Sequence, residues 1–159
     1  MSKKLKVGWF SFSCCEDNTI VLTEMMNDHL KEWLKVVDFQ YMRVLKKDNK
    51  LEGLDVAFVE GAIASYRDVK KLKKIRENCK KLVAIGSCAI NGMPAAQRNL
   101  FDPKRKEEVE FLVERFHMLK KVETLKEIVK VDDQVPGCPM SEEGFLKVLN
   151  KYLKVFKVK

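Results

Sequence analysis

Residues 54–88 read LDVAFVEGAIASYRDVKKLKKIRENCKKLVAIGSC, which sets two short apolar runs on either side of an amphipathic one. Residues 54–59 are rich in β-formers and stop at Glu60-Gly61, while residues 82–85 stop at Gly86-Ser87-Cys88. Between them Val69, Leu72, Ile75 and Cys79 recur at steps of three and four, the spacing of one face of a helix. The stretch therefore predicts a strand, a crossover helix and a second, parallel strand.

The same alternation extends in both directions. Toward the N-terminus, residues 5–12 (LKVGWFSF) predict a strand that runs into the turn Ser13-Cys14-Cys15-Glu16-Asp17. Asn18 is placed to cap a helix whose apolar positions are Leu22, Met26, Leu30, Trp33, Leu34 and Val37. Residues 39–45 form another apolar run before a polar turn at 46–49. Toward the C-terminus, residues 89–103 are irregular, with Gly92 and Pro94, and read as a surface or interface loop. Val109, Leu112, Val113, Phe116 and Leu119 predict a helix, residues 127–131 a strand-like segment, and Ser141 opens a last helix bearing Phe145, Val148, Leu149, Tyr152, Leu153 and Phe156. Strands alternating with helices predict an α/β doubly wound, mostly parallel sheet with helices on both faces. A chain of 159 residues suits one domain, residues 1–159, around a single sizeable core.

Charge and cysteine usage narrow the classes of function. The net charge of +8 comes from 31 Lys+Arg against 23 Asp+Glu, mostly as lysine pairs such as Lys70-Lys71, Lys73-Lys74 and Lys80-Lys81 spread over helix faces. A nucleic-acid groove would gather arginine and aromatics in one stripe, so this surplus instead suits an acidic protein partner or electron donor. No stretch approaches the roughly 20 apolar residues that cross a bilayer, and direct membrane insertion is not expected. The apolar stretch after the first lysines is broken by Ser11 and Ser13 and reads as a strand, not a signal sequence. Five cysteines in such a chain point to a reducing, cytoplasmic setting in which thiols serve metals, catalysis or packing.

Doubly wound sheets carry their functional loops at the carboxyl ends of the strands. Cys14-Cys15, Cys88 and Cys138 all follow predicted strands, the last within Val135-Pro136-Gly137-Cys138-Pro139. A cubane iron–sulfur cluster takes four thiolates from loops whose glycines and prolines allow close, stiff approach. Other readings stand beside it. Cys14-Cys15 suits a vicinal redox disulfide or simple packing as well as ligation. Zinc is the weaker metal, because structural zinc sites supply ligands as close pairs and the chain has no CxxC. Cys79, on an apolar helix face, reads as core, and His29 and His117 as structural or surface residues.

The segments Gly8-Trp9-Phe10-Ser11 through Cys15, Val59-Glu60-Gly61-Ala62, Ala84-Ile85-Gly86-Ser87-Cys88-Ala89 and Val135-Pro136-Gly137-Cys138-Pro139 together resemble, in the same order, one family. It is the family shared by the NiFe-hydrogenase small subunit and the 20 kDa subunit of NADH:ubiquinone oxidoreductase. The resemblance implies a flavodoxin-like domain holding one 4Fe-4S cluster, with Cys15, Cys88 and Cys138 as ligands. Partners are a large catalytic subunit, of the NiFe type in hydrogenases, and a further iron–sulfur or flavin electron carrier. Hydrogenase small subunits show CxxC in the first loop, where this chain has Asn18 in the second position; the respiratory subunit instead has two adjacent ligand cysteines, which makes Cys14 the fourth ligand. Asp17 is a weaker oxygen substitute. By the same resemblance Glu60 lies near the cluster, placed for proton movement or for shaping the local field, and Glu16 and Asp17 either touch the cluster loop or cap the first helix.

The expected function is thus an electron-transfer subunit of an oxidoreductase, with no catalytic residue of its own. A soluble NiFe-hydrogenase small subunit comes first and a complex I-like subunit of a respiratory or membrane-tethered complex second. A cluster-free thiol-redox or binding module is the alternative of another class; two acids and no glycine run in the first loop count against phosphate binding. A structural subunit that has lost the cluster is a third reading.

Overall fold

The structure is a computed structural model and describes residues 3–158; the first two residues and the last, part of the expected domain, lie outside the described residues. In chain order the elements are β1 (Leu5–Ser11), α1 (Asp17–Val36), β2 (Val37–Met42), β3 (Leu54–Glu60), β4 (Ile63–Ser65), α2 (Tyr66–Glu77) and β5 (Cys79–Ile85). There follow α3 (Gly86–Asn91), α4 (Pro103–Arg115), β6 (Met118–Glu123), α5 (Leu125–Ile128), β7 (Asp133–Val135) and α6 (Glu142–Val155).

Five strands form a parallel sheet in the order β2-β1-β3-β5-β7. This is the flavodoxin-like doubly wound order. Parallel strands are covered on both faces and so read as continuous apolar runs, and every residue of β3 is buried. Alternate side chains divide between two layers. Val56, Phe58, Val83 and Ile85 meet Leu22, Met25 and Trp33 of α1 and Phe145, Val148 and Tyr152 of α6. Ala57, Val59, Leu82 and Ala84 face the other way, onto Leu72 and Ile75 of α2 and Leu125 of α5. A third cluster, Ala62, Ala64, Cys88, Ala96 and Val122, seats a small antiparallel sheet, β4-β6, beside the main one.

Several local expectations change. Cys79 opens β5 and does not end α2: the helix stops at Glu77, and Cys79 pairs with Leu54 across the β3–β5 ladder. It remains in the core, 9% exposed. The loop expected to carry Cys88 begins as the short helix α3, in whose first turn Cys88 stands, and the irregular stretch 89–103 also holds a 3-10 turn at Gln97–Leu100. The strand-like segment at 127–131 is replaced by the end of α5, and the fifth parallel strand is β7, Asp133–Val135. Leu119 belongs to β6, because the chain leaves α4 at Phe116 and turns at His117, whose φ is 49°. Asn18 is not the cap of α1; it lies inside the helix and is 7% exposed.

Candidate metal centre

The ladders align one residue from each of four neighbouring strands: Ser11 opposite Glu60, Glu60 opposite Ile85, and Ile85 opposite Val135. This row is the carboxyl edge of β1, β3, β5 and β7. Cys14, Cys88 and Cys138 each stand three residues beyond their own member of the row, as 11 to 14, 85 to 88 and 135 to 138 show. Cys15 follows Cys14. The strand register thus carries residues up to 124 positions apart, 14 to 138, onto one edge.

Tight backbone contacts hold these loops together. Ser13 and Ala62 form an antiparallel bridge with N–H···O distances of 3.1 and 2.9 Å, and Phe12 N–H donates to Glu60 O at 2.9 Å. Gly61 permits this approach: its φ is +89°, and a Cβ there would stand 2.7 Å from the carbonyl carbon of Phe12. Between the other two loops, Ser87 N–H donates to Gly137 O at 2.8 Å and its hydroxyl to the same oxygen at 3.2 Å.

Glu60 is fully buried at the centre of this edge. Its carboxyl group accepts from Ser11 Oγ at 2.7 Å, from Asn18 Nδ2 at 3.0 Å and from Thr19 Oγ1, which itself accepts from Trp9 Nε1 at 2.7 Å. A buried carboxyl group is tolerated when its oxygens are paired in this way. Burial pushes the Cys14 thiol up to about 12, and the negative charges of Glu60, Cys88 and Cys15 act in the same direction. Burial likewise raises Cys88, helped by Cys138, Cys15 and Glu60. Cys14 therefore feels Glu60, Cys88 and Cys15, and Cys88 feels Cys138, Cys15 and Glu60. Opposing the rise, the backbone N–H of Glu16 faces Cys14 and that of Ala95 faces Cys88.

Among the described residues no three His, Cys, Asp or Glu side chains converge closely enough to hold a single metal ion. A mononuclear ion gathers its ligands on one atom, whereas a four-iron cluster receives each thiolate on a different iron. Cys14, Cys15, Cys88 and Cys138 are free thiols that follow strands at this one edge, and four thiolates are the donor set an iron–sulfur cluster takes. The donor set fits the cluster.

Of the expected acids, Glu60 is at the site. Glu16 is exposed, sits at a left-handed φ of 65° and contributes backbone: its N–H faces Cys14, and its carbonyl accepts from Thr19 and Ile20. Asp17 is the first residue of α1 and half-buried. Cys79 stands at the amino end of β5, away from the other four. Asn18, Ser11, Thr19 and Ser87 are the residues the sequence reading missed. A signal existed for Asn18: it precedes Leu22 by one helical turn, a polar residue on the apolar stripe of α1.

The sequence profile described as NADH ubiquinone oxidoreductase, 20 Kd subunit, matches residues 15–152. The chain belongs to that family. It is 28% identical over 163 residues to the NAD-reducing hydrogenase HoxS subunit delta of Cupriavidus necator, covering 92% of this chain and 78% of that protein. It is also 28% identical, over 156 residues, to the sulfhydrogenase 2 subunit delta of Pyrococcus furiosus, covering 91% of this chain but only 60% of the relative. A crystal structure of an NAD+-reducing NiFe-hydrogenase in the H2-reduced state superposes with a TM-score of 0.81 at 26% identity, over 95% of this chain and 92% of the other. Both relatives and the superposed structure are named as parts of hydrogenases, and the superposed chain shares the fold described above.

Proposed function

We propose that the chain is an electron-transfer subunit of a multisubunit oxidoreductase of the hydrogenase type, holding one 4Fe-4S cluster through Cys14, Cys15, Cys88 and Cys138. The observation that carries this reading is the register: three cysteines at the same offset from one row of the sheet, with a fourth beside the first. The named hydrogenase relatives support it.

When bound, the cluster supplies one-electron transfer; the chain supplies its holder and its environment. The four thiolates fix it to three loops. The N–H groups of Glu16 and Ala95 face thiolate sulfur, which stabilises sulfur charge and tunes the potential. Glu60 adds a buried acid whose three hydrogen bonds hold it in place. By this reading the chain forms one domain and works in a reducing, cytoplasmic compartment, where unpaired thiols persist. It relays electrons between a large catalytic subunit of the NiFe type and a further iron–sulfur or flavin carrier. A complex I-like placement is the second reading, favoured by the adjacent pair Cys14-Cys15 and by the 20 kDa-subunit profile.

Anaerobic iron and acid-labile sulfide analysis tests the cluster, with EPR after dithionite reduction, on protein purified with the subunits that accompany it. About four iron and four sulfide per chain are expected for one cubane. Folded, iron-free protein in its intact complex would overturn the reading and leave the thiol-redox module in its place.

A further inference from the structure

Asn18 links the three thiol-bearing segments. Its Oδ1 accepts from Met140 N–H at 2.8 Å, across 122 residues of sequence, and Met140 lies two residues after Cys138. Its Nδ2 donates to Glu60 Oε2 at 3.0 Å. The same amide packs on Gly86, two residues before Cys88: a Cβ built there would lie 2.6 Å from Nδ2 and 2.9 Å from Oδ1, and the φ of Gly86 is +78°. Asn18 itself stands three residues after Cys15, in the first turn of α1.

We infer that Asn18 is the positioning residue that sets the spacing of the first, second and third cysteine loops and, through it, the reduction potential of the group they hold. The second half of the inference rests on the cluster reading above; the first half does not. An amide is suited to this place because it both accepts and donates. Its oxygen satisfies a backbone N–H on the Cys138 loop while its nitrogen pairs a buried carboxyl group. Neither hydrogen bond is available to an aliphatic side chain of the same size. Other contacts between these segments, such as Ser87 to Gly137, join two of them; Asn18 stands on the helix that continues the first and touches the other two.

Two measurements separate the halves. In the iron-free full chain, dibromobimane bridges thiols that lie close together, and peptide mapping tells which pair was bridged. The adjacent pair Cys14-Cys15 is the internal reference, since its spacing is set by the backbone alone. Asn18→Ala should lower bridging between the first loop and Cys88 or Cys138 about tenfold relative to that reference, the worth of roughly 1.4 kcal/mol of lost tethering. Asn18→Asp keeps the oxygen that accepts from Met140 but loses the donor to Glu60 and sets a second carboxyl group against it, so it should restore only part of the bridging. Unchanged cross-loop bridging in Asn18→Ala overturns the positioning role, whatever the iron content.

In the iron-loaded complex, EPR-monitored titration reads the potential. The expected change in Asn18→Ala is at least about tenfold in the reduction equilibrium, 59 mV for a one-electron couple. Asp55→Ala is the control: Asp55 is buried at the amino edge of β3, where it accepts from Lys6 N–H at 3.0 Å and Lys80 Nζ at 2.7 Å. It should cost stability and leave the potential unmoved. Four iron per chain with a wild-type potential in Asn18→Ala overturns the inference and leaves the cluster reading intact. Iron-free wild-type complex overturns the cluster reading, and the bridging result alone then decides the role of Asn18.

Discussion

At the scale of single residues the site depends on what cannot be replaced. Gly61 combines a left-handed φ of +89° with backbone atoms of Phe12 and Ser13 at 2.7 and 2.9 Å from the position of a Cβ. Neither burden can be relieved by a side-chain rotation, because the neighbours are main chain. Gly61→Ala should therefore destabilise by about 2–4 kcal/mol, the left-handed penalty of 1–2 plus a comparable steric cost. Urea unfolding of the iron-free chain reads this directly, and a midpoint within error of wild type would refute it. Glu60 stood out in the sequence as an acid at a strand end before a glycine, and the family resemblance set it beside the cysteines. Asn18 was misread as a cap because a polar residue at a helix start has that ordinary role, whereas its partners, Glu60 and Met140, are 42 and 122 residues away.

At the scale of elements, the long strands and α6 behave as their apolar spacing predicts, and the short pieces do not. β6 reads MLKKVE, half of it charged, and exists because β4 pairs with it. α4 keeps a helical pattern, but Leu112 and Phe116 of its expected apolar face are 42% and 63% exposed, so periodicity alone did not place that helix on a core. α5 is held by a capping box: Thr124 N–H donates to Glu127 Oε2 at 2.7 Å, and Lys121 Nζ meets Oε1 at 2.6 Å. The Lys121 contact first, and the Thr124 N–H second, lower Glu127 from 4.5 to about 2. Between those values the folded chain holds fewer protons than the unfolded one, so this contribution is full above 4.5 and is lost as pH falls toward 2. Glu127→Gln should thus melt below wild type at neutral pH, with the gap closing across that window. Thermal melts at a series of pH values check it; a gap constant with pH would count against the pairing.

At the scale of the whole molecule, two apolar layers clamp the sheet, and the carboxyl edge inherits its rigidity from them. Phe58 is fully buried in β3, with ring centroids 5.2 Å from Phe145 and 6.1 Å from Trp9. Trp9 in turn hydrogen-bonds Thr19, which holds Glu60. Phe58→Ala should cost about 3–5 kcal/mol, measured by denaturant unfolding, and should also speed chelator removal of iron from the loaded complex. Loss of stability with unchanged iron release would show that the edge does not draw on this layer.

The sequence by itself determined the alternation of strands and helices, the doubly wound class, and the placement of Cys14, Cys15 and Cys88 after strands, because periodicity and glycine punctuation act over neighbouring residues; the strand before Cys138 is Asp133–Val135, not the expected 127–131. Only the tertiary structure decided that β7 lies beside β5, that one register row aligns Ser11, Glu60, Ile85 and Val135, and that Asn18 joins three loops. Those facts rest on hydrogen bonds and packing between segments far apart in the chain, whose partners exist only once the sheet has formed.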